Sequence, residues 1–92
     1  MDDMKRLEAL EALAKSAGGD GGRLAKQQDE AAGLYARRVA QLAEEHGVAE
    51  ARAHGLAASD DLAKRAYALS VGLGERRAAA QDLAHGLGAH LG

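Results

Sequence analysis

Histidines and carboxylates at helical spacing are the residues that could do chemistry. His46, Glu50 and His54 are four residues apart, and Asp82 and His85 are three apart, so on continuous helices each set would share one face. Imidazole and carboxylate groups are ligands for Zn²⁺ and similar ions, which makes these five residues candidate metal ligands. A glycine directly after His46 is expected to interrupt the face, which favours ordinary surface histidines over a metal site.

Other catalytic or cofactor chemistry finds little support in the sequence. The chain has no Cys, which excludes a thiolate nucleophile, a disulfide and Cys-ligated zinc. The Gly-rich run 18–22 lacks the Lys-Ser/Thr that follows a phosphate-binding loop. Ser16, Ser59 and Ser70 fall at a helix end, a cap and a helix face, without a partner base in view. The sequence therefore predicts a protein that is not an enzyme and holds no cofactor.

The composition predicts helices around a thin core. Among 92 residues, 23 are Ala and 13 are Leu, while Ile, Thr, Phe, Trp, Asn and Pro do not occur. Strands draw on β-branched and aromatic residues, whereas Ala has the highest helix propensity. The expected fold class is therefore all-α, in one small domain. Because sizeable apolar side chains are few, we expect a partner or self-association to supply the missing burial.

Charge and hydropathy disfavour nucleic acid and membrane as partners. The net charge is −2, with acidic and basic residues interspersed along the chain. A nucleic-acid surface needs a concentrated basic stripe, and a membrane span needs about 18 consecutive apolar residues. The N-terminal residues lack the basic-then-apolar order of a signal peptide. These features predict a cytoplasmic protein.

Periodicity and glycines divide the chain into about five helices. Their expected extents are Asp3 to Ala17, Arg23 to His46, Val48 to Ala58, the cap Ser59 to Leu73, and Glu75 to Leu91. Residues 1–17 form an N-terminal helix, residues 18–22 a Gly-rich connector, and residues 23–92 a domain of antiparallel helical hairpins. We expect a small bundle or a short α-solenoid.

Glycines are expected to mark two of the helix ends. Gly47 is predicted to be the left-handed residue that ends the second helix. Gly72 and Gly74 lie within three residues of each other and together cost about 2 kcal/mol relative to Ala in a helix interior. They favour a break between the fourth and fifth helices, and a single merged helix is the alternative.

An internal repeat relates two parts of the chain. The tetrapeptide Ala-His-Gly-Leu at residues 53–56 recurs at residues 84–87, a shift of 31 residues. Residues 29–92 resemble tetratricopeptide-like helical hairpins, with residues 73–78 as the inter-repeat turn and Ala66 at a small-residue position. The pattern departs from that family in its shorter period and its empty Trp and Pro positions. The resemblance implies stacked hairpins in a regulator or adaptor, and a plain antiparallel bundle is the alternative.

The leading hypothesis is a non-enzymatic helical module for protein interaction or self-assembly. It would bury Leu and Ala stripes against a protein partner or another copy, with Tyr67 as an exposed aromatic anchor. The alternatives are a metal-binding helical bundle and an artificial helical sequence without a natural function. The other residues expected to form the packing surface are Tyr35, Leu42, Leu69, Leu73, Leu83 and Leu87.

Overall fold

Four α-helices make up the described part of the chain. The computed structural model describes the backbone of residues 2–16 and 21–91 and the side chains of residues 2–16 and 22–82. Among these residues there are only helices and short connections, so the predicted all-α class is confirmed. The predicted count of about five helices is one too many. The helices are α1 (Asp3–Ser16), α2 (Gly21–His46), α3 (Glu50–Ala57) and α4 (Asp61–Leu91).

The break predicted at Gly72 and Gly74 is wrong, because α4 runs through both glycines to Leu91. Leu73, between them, is buried to 1% exposure. Burying a Leu side chain contributes about 2 kcal/mol, which offsets the helical cost of two glycines. A Cβ atom at Gly74 would lie 2.7 Å from Nε2 of Gln28, so glycine there leaves room for the Gln28 side chain of α2. Residues 73–78, interpreted above as an inter-repeat turn, are helical.

The antiparallel pair formed by α2 and α4 is the centre of the fold. At one end Arg38 binds Asp60, and near the other end Nη1 of Arg77 donates to Oε1 of Gln28 at 2.7 Å. Small buried side chains keep the two helices close. They are Ala31 on α2 and Ala63 and Ala66 on α4, each with 0% exposure.

Helix α1 covers one side of this pair. Leu7 and Leu10 are buried in a cluster with Ala31, Leu34 and Ala66, and Ala14 is buried with Leu24 and Leu73. Polar contacts also join α1 to α4. Arg65 pairs with Glu11, and Nη1 of Arg76 donates to the carbonyl of Ala14 at 2.7 Å. Helix α1 thus packs on both α2 and α4. Residues 17–20, which include most of the predicted connector, lie outside the described residues.

The end of α2 and the start of α4 have the glycine and the carboxylate that the sequence predicted there. Gly47 has φ of +62°, and the amides of Gly47 and Val48 donate to the carbonyls of Glu44 and Ala43, the hydrogen-bond pattern of a Schellman motif. At the start of α4, a carboxylate oxygen of Asp60 accepts the amide of Ala63 at 3.0 Å. The capping residue is therefore Asp60, one position after the predicted Ser59.

The same Asp60 carboxylate joins α4 to α2. Nε and Nη2 of Arg38 donate to its two oxygens at 2.9 and 2.8 Å. The side chains are only 22% and 17% exposed. The Arg38 guanidinium, assisted by the Ala63 amide, lowers the pKa of Asp60 below its ordinary value. Asp60 is thus both a helix cap and a tertiary contact.

Replacing Gly72 by Ala should stabilise the protein, because no atom lies within 4 Å of the added Cβ atom. We expect a gain of about 1 kcal/mol in the free energy of unfolding, measured by urea denaturation. Gly47→Ala is the control that should have the opposite effect. Because alanine is strained at a positive φ, we expect the free energy of unfolding to fall by about 1 kcal/mol. A loss of stability in Gly72→Ala would contradict a continuous α4.

Replacing Asp60 by Asn should keep the cap and remove the ion pair with Arg38. At pH 7 we expect a loss of about 1 kcal/mol in the free energy of unfolding. Because the folded-state pKa of Asp60 is lowered, its contribution is present above the ordinary carboxyl pKa and is lost as pH falls through the lowered value. The difference in the free energy of unfolding between wild type and Asp60→Asn should therefore become smaller in acid.

The matched control is Asp61→Asn. The Asp61 side chain is 74% exposed, and its carboxylate lies 3.5 Å from Nη1 of Arg65. This change should leave stability almost unaltered at both pH values. Equal losses for the two variants at pH 7 would show that the Arg38–Asp60 contact has no special role.

Candidate interaction surface

Both tyrosines of the chain meet at the junction of α2, α3 and α4. The ring centroids of Tyr35 and Tyr67 are 5.4 Å apart with an interplanar angle of 52°. His54, from α3, lies on the other side of Tyr35 at 5.7 Å between ring centroids. Tilted contacts at these separations are favourable for aromatic rings. The fold thus concentrates its aromatic side chains in one place.

Tyr35 is the base of this cluster. Its side chain is half-buried and packs against both the α1-facing core and the core around Val39. Its hydroxyl lies 3.0 Å from Nδ1 of His54, within hydrogen-bonding distance. With a neutral imidazole whose Nδ1 is unprotonated, the hydroxyl donates and the ring accepts. This bond joins the short helix α3 to the central pair.

Tyr67 rests on Tyr35 but remains 56% exposed, and Val71, one turn later, is 43% exposed. Their i, i+4 spacing places them on one face of α4. Leu62 and Leu69 pack against the core that contains α1, so Tyr67 and Val71 face away from α1. We call this line of α4, which borders α2 at Tyr67 and Gly74, the Tyr67 stripe, and its residues are Tyr67, Val71, Gly74 and Ala78.

The other residues expected at an interaction surface have different surroundings. Leu42 and Leu73 are buried in the core, and Tyr35 and Leu69 are half-buried against it. The side chains of Leu83 and Leu87 lie outside the described residues. Within the described part of the chain, Tyr67 therefore exposes far more surface than the rest of that set.

Val71 is the exposed apolar residue beside Tyr67 that sequence reasoning missed. Its position four residues after Tyr67 is the available signal, but the regular series of Leu residues dominates the pattern of α4. The stripe of Leu residues faces inward, so an outward aromatic–aliphatic pair is easily overlooked.

The candidate metal ligands are not assembled by the described structure. His46 ends α2 and Glu50 begins α3, with the left-handed Gly47 between them, so they do not share a continuous helix. Nδ1 of His54 is within hydrogen-bonding distance of the Tyr35 hydroxyl, and Asp82 is exposed. His85 lies outside the residues with described side chains. Among those that are described, no group of three His, Asp or Glu residues could hold a metal ion.

A second concave surface lies between α1 and α4. This open groove of about 600 Å³ has Leu69 and Leu73 at its floor and Lys15, Arg65 and Arg76 along its rim. Arg65 is engaged with Glu11, and Arg76 with the carbonyl of Ala14. Both arginines that line this groove therefore bind α1.

Comparison of the chain with known protein families, curated proteins and solved structures found no match. The tetratricopeptide-like resemblance therefore stays a prediction. None of the helices within the described residues is both long and apolar enough to cross a membrane.

Proposed function

We propose that this protein is a non-enzymatic helical interaction module whose contact surface is the Tyr67 stripe. The observation that carries the proposal is the exposure of Tyr67 and Val71, side by side on one helix face. Leu13 and Leu56 are also exposed, but each lies on a different helix. Tyr67 and Val71 instead form an adjacent pair, whose exposure has a cost in stability. Burial of these two side chains against another protein helix would offset that cost in stability.

The setting of Tyr67 supports this proposal. Its ring packs on Tyr35 of α2, and the Tyr35 hydroxyl lies within hydrogen-bonding distance of His54, so the exposed ring rests on a side chain that also contacts α3. An aromatic ring that is already positioned loses little side-chain entropy on binding. Tyr is also among the residues most often found at the energetic centre of protein interfaces.

The size of the core supports it further. Several of the fully buried positions are Ala, including Ala53, Ala57 and Ala63 around α3. Each Ala buries much less apolar surface than Leu, so a four-helix domain built on them gains modest stability from its own packing. An added helix on the outer face of α4 would extend that core.

Photo-crosslinking at position 67 tests the proposal. A benzophenone amino acid would replace Tyr67 in the full chain, and after irradiation covalent adducts would be measured by mass spectrometry, in purified protein and in extracts of cells that express it. We expect adducts at this position to a second copy or to another protein. Unlabelled wild-type protein should compete for them, whereas unlabelled Tyr67→Lys should not.

The matched control places the same benzophenone at Leu13 on α1, which is 57% exposed against 56% for Tyr67. Equal exposure makes random collision equally frequent at the two positions. Equal adduct yields from both positions, or no adducts that wild-type protein competes for, would overturn the proposed function.

A further inference from the structure

The outer face of α4 continues the Tyr67 stripe by one residue at each end. Beginning at Lys64, successive positions are separated by three, four, three, four and three residues, the spacing of a two-helix packing seam. Gly74 is half-buried and the other five positions are exposed. The extended stripe consists of Lys64, Tyr67, Val71, Gly74, Ala78 and Gln81.

Side-chain size changes from large to small along this stripe. Tyr67 and Val71 occupy its first half, and Gly74 and Ala78 occupy its second half. When two such helices lie antiparallel, centred between residues 72 and 73, Tyr67 faces Ala78 of the second copy and Val71 faces Gly74. Tyr67 then meets the small, exposed Ala78, as close helix packing requires. Val71 meets Gly74 at the edge of α4, beside the Gln28 side chain of α2.

The charged residues near the two ends of the extended stripe are also complementary in an antiparallel pair. Lys64 lies at one end of the extended stripe, and Asp82 lies beside its other end, about 27 Å away along the helix. Both side chains are exposed, and neither makes an ion pair with another described residue. Asp61, one turn before Lys64, is paired with Arg65. An antiparallel pair brings Lys64 of each chain to Asp82 of the other.

From this complementarity we infer that the occupant of the Tyr67 stripe is a second copy of this chain, bound antiparallel through α4. The inference rests on the proposed function and specifies its partner. The arrangement is two-fold symmetric, so every contact occurs twice. A parallel pair would instead place Lys64 against Lys64 and Asp82 against Asp82, with the two Tyr67 rings opposed.

Charge reversal tests the inference on the full chain. We expect Lys64→Asp and Asp82→Lys each to raise the dimer dissociation constant about tenfold, because two attractive pairs per dimer become repulsive. The double variant carrying both changes should return to within about threefold of wild type. Sedimentation equilibrium measures the dissociation constant, and circular dichroism checks that each variant is folded.

The controls reverse exposed charges elsewhere, with Lys26→Asp on α2 and Glu8→Lys on α1, and these should leave the dissociation constant unchanged. A dimer that is insensitive to both reversals, or is not rescued by the double variant, would overturn the antiparallel arrangement.

The result for purified wild type separates this inference from the proposed function. A chain that stays at its 9.5 kDa monomer mass at every concentration would overturn the second copy as partner. If position 67 then crosslinks to a different protein in extracts, the proposed function stands and only its partner changes. If it crosslinks to nothing, both fail.

Discussion

The close antiparallel contact between α2 and α4 is the constraint on which the rest of the structure depends. It requires small residues where the helices meet, and Ala31, Ala63 and Ala66 are fully buried there. Once these helices lie together, their shared surface gives α1 a place to bury Leu7 and Leu10. The high Ala content, which leaves little bulk for a core, is thus also what allows the helices to pack closely.

Helix α4 has a buried face and an exposed face. Its inner face, with Ala66 and Leu73, is buried in the fold. Its outer face has Tyr67 and Val71 exposed, and we propose that this face binds a second copy. Because α4 is one continuous helix, the packing of its buried residues fixes the positions of the residues in the Tyr67 stripe. The continuity of α4 through Gly72 and Gly74 is therefore central to the account.

Local signals in the sequence predicted some features of the fold and missed others. A left-handed Gly47 and a carboxylate at the start of α4 follow from residues close in sequence, and both were predicted. The continuity of α4 depends on the burial of Leu73 against α1 and α2, a tertiary effect that outweighs helix propensity. The contact of Tyr35 with Tyr67 and His54 joins three helices. Spacing within one helix carries no information on such a cluster.

Amide hydrogen exchange across α4, followed by NMR at low and high protein concentration, tests the central claim most directly. A continuous helix predicts that the amides of residues 72–75 exchange as slowly as those of the turns on either side. Burial of the outer face predicts that protection over residues 67–78 increases with concentration. Fast exchange confined to residues 72–75, with protection independent of concentration, would contradict the account.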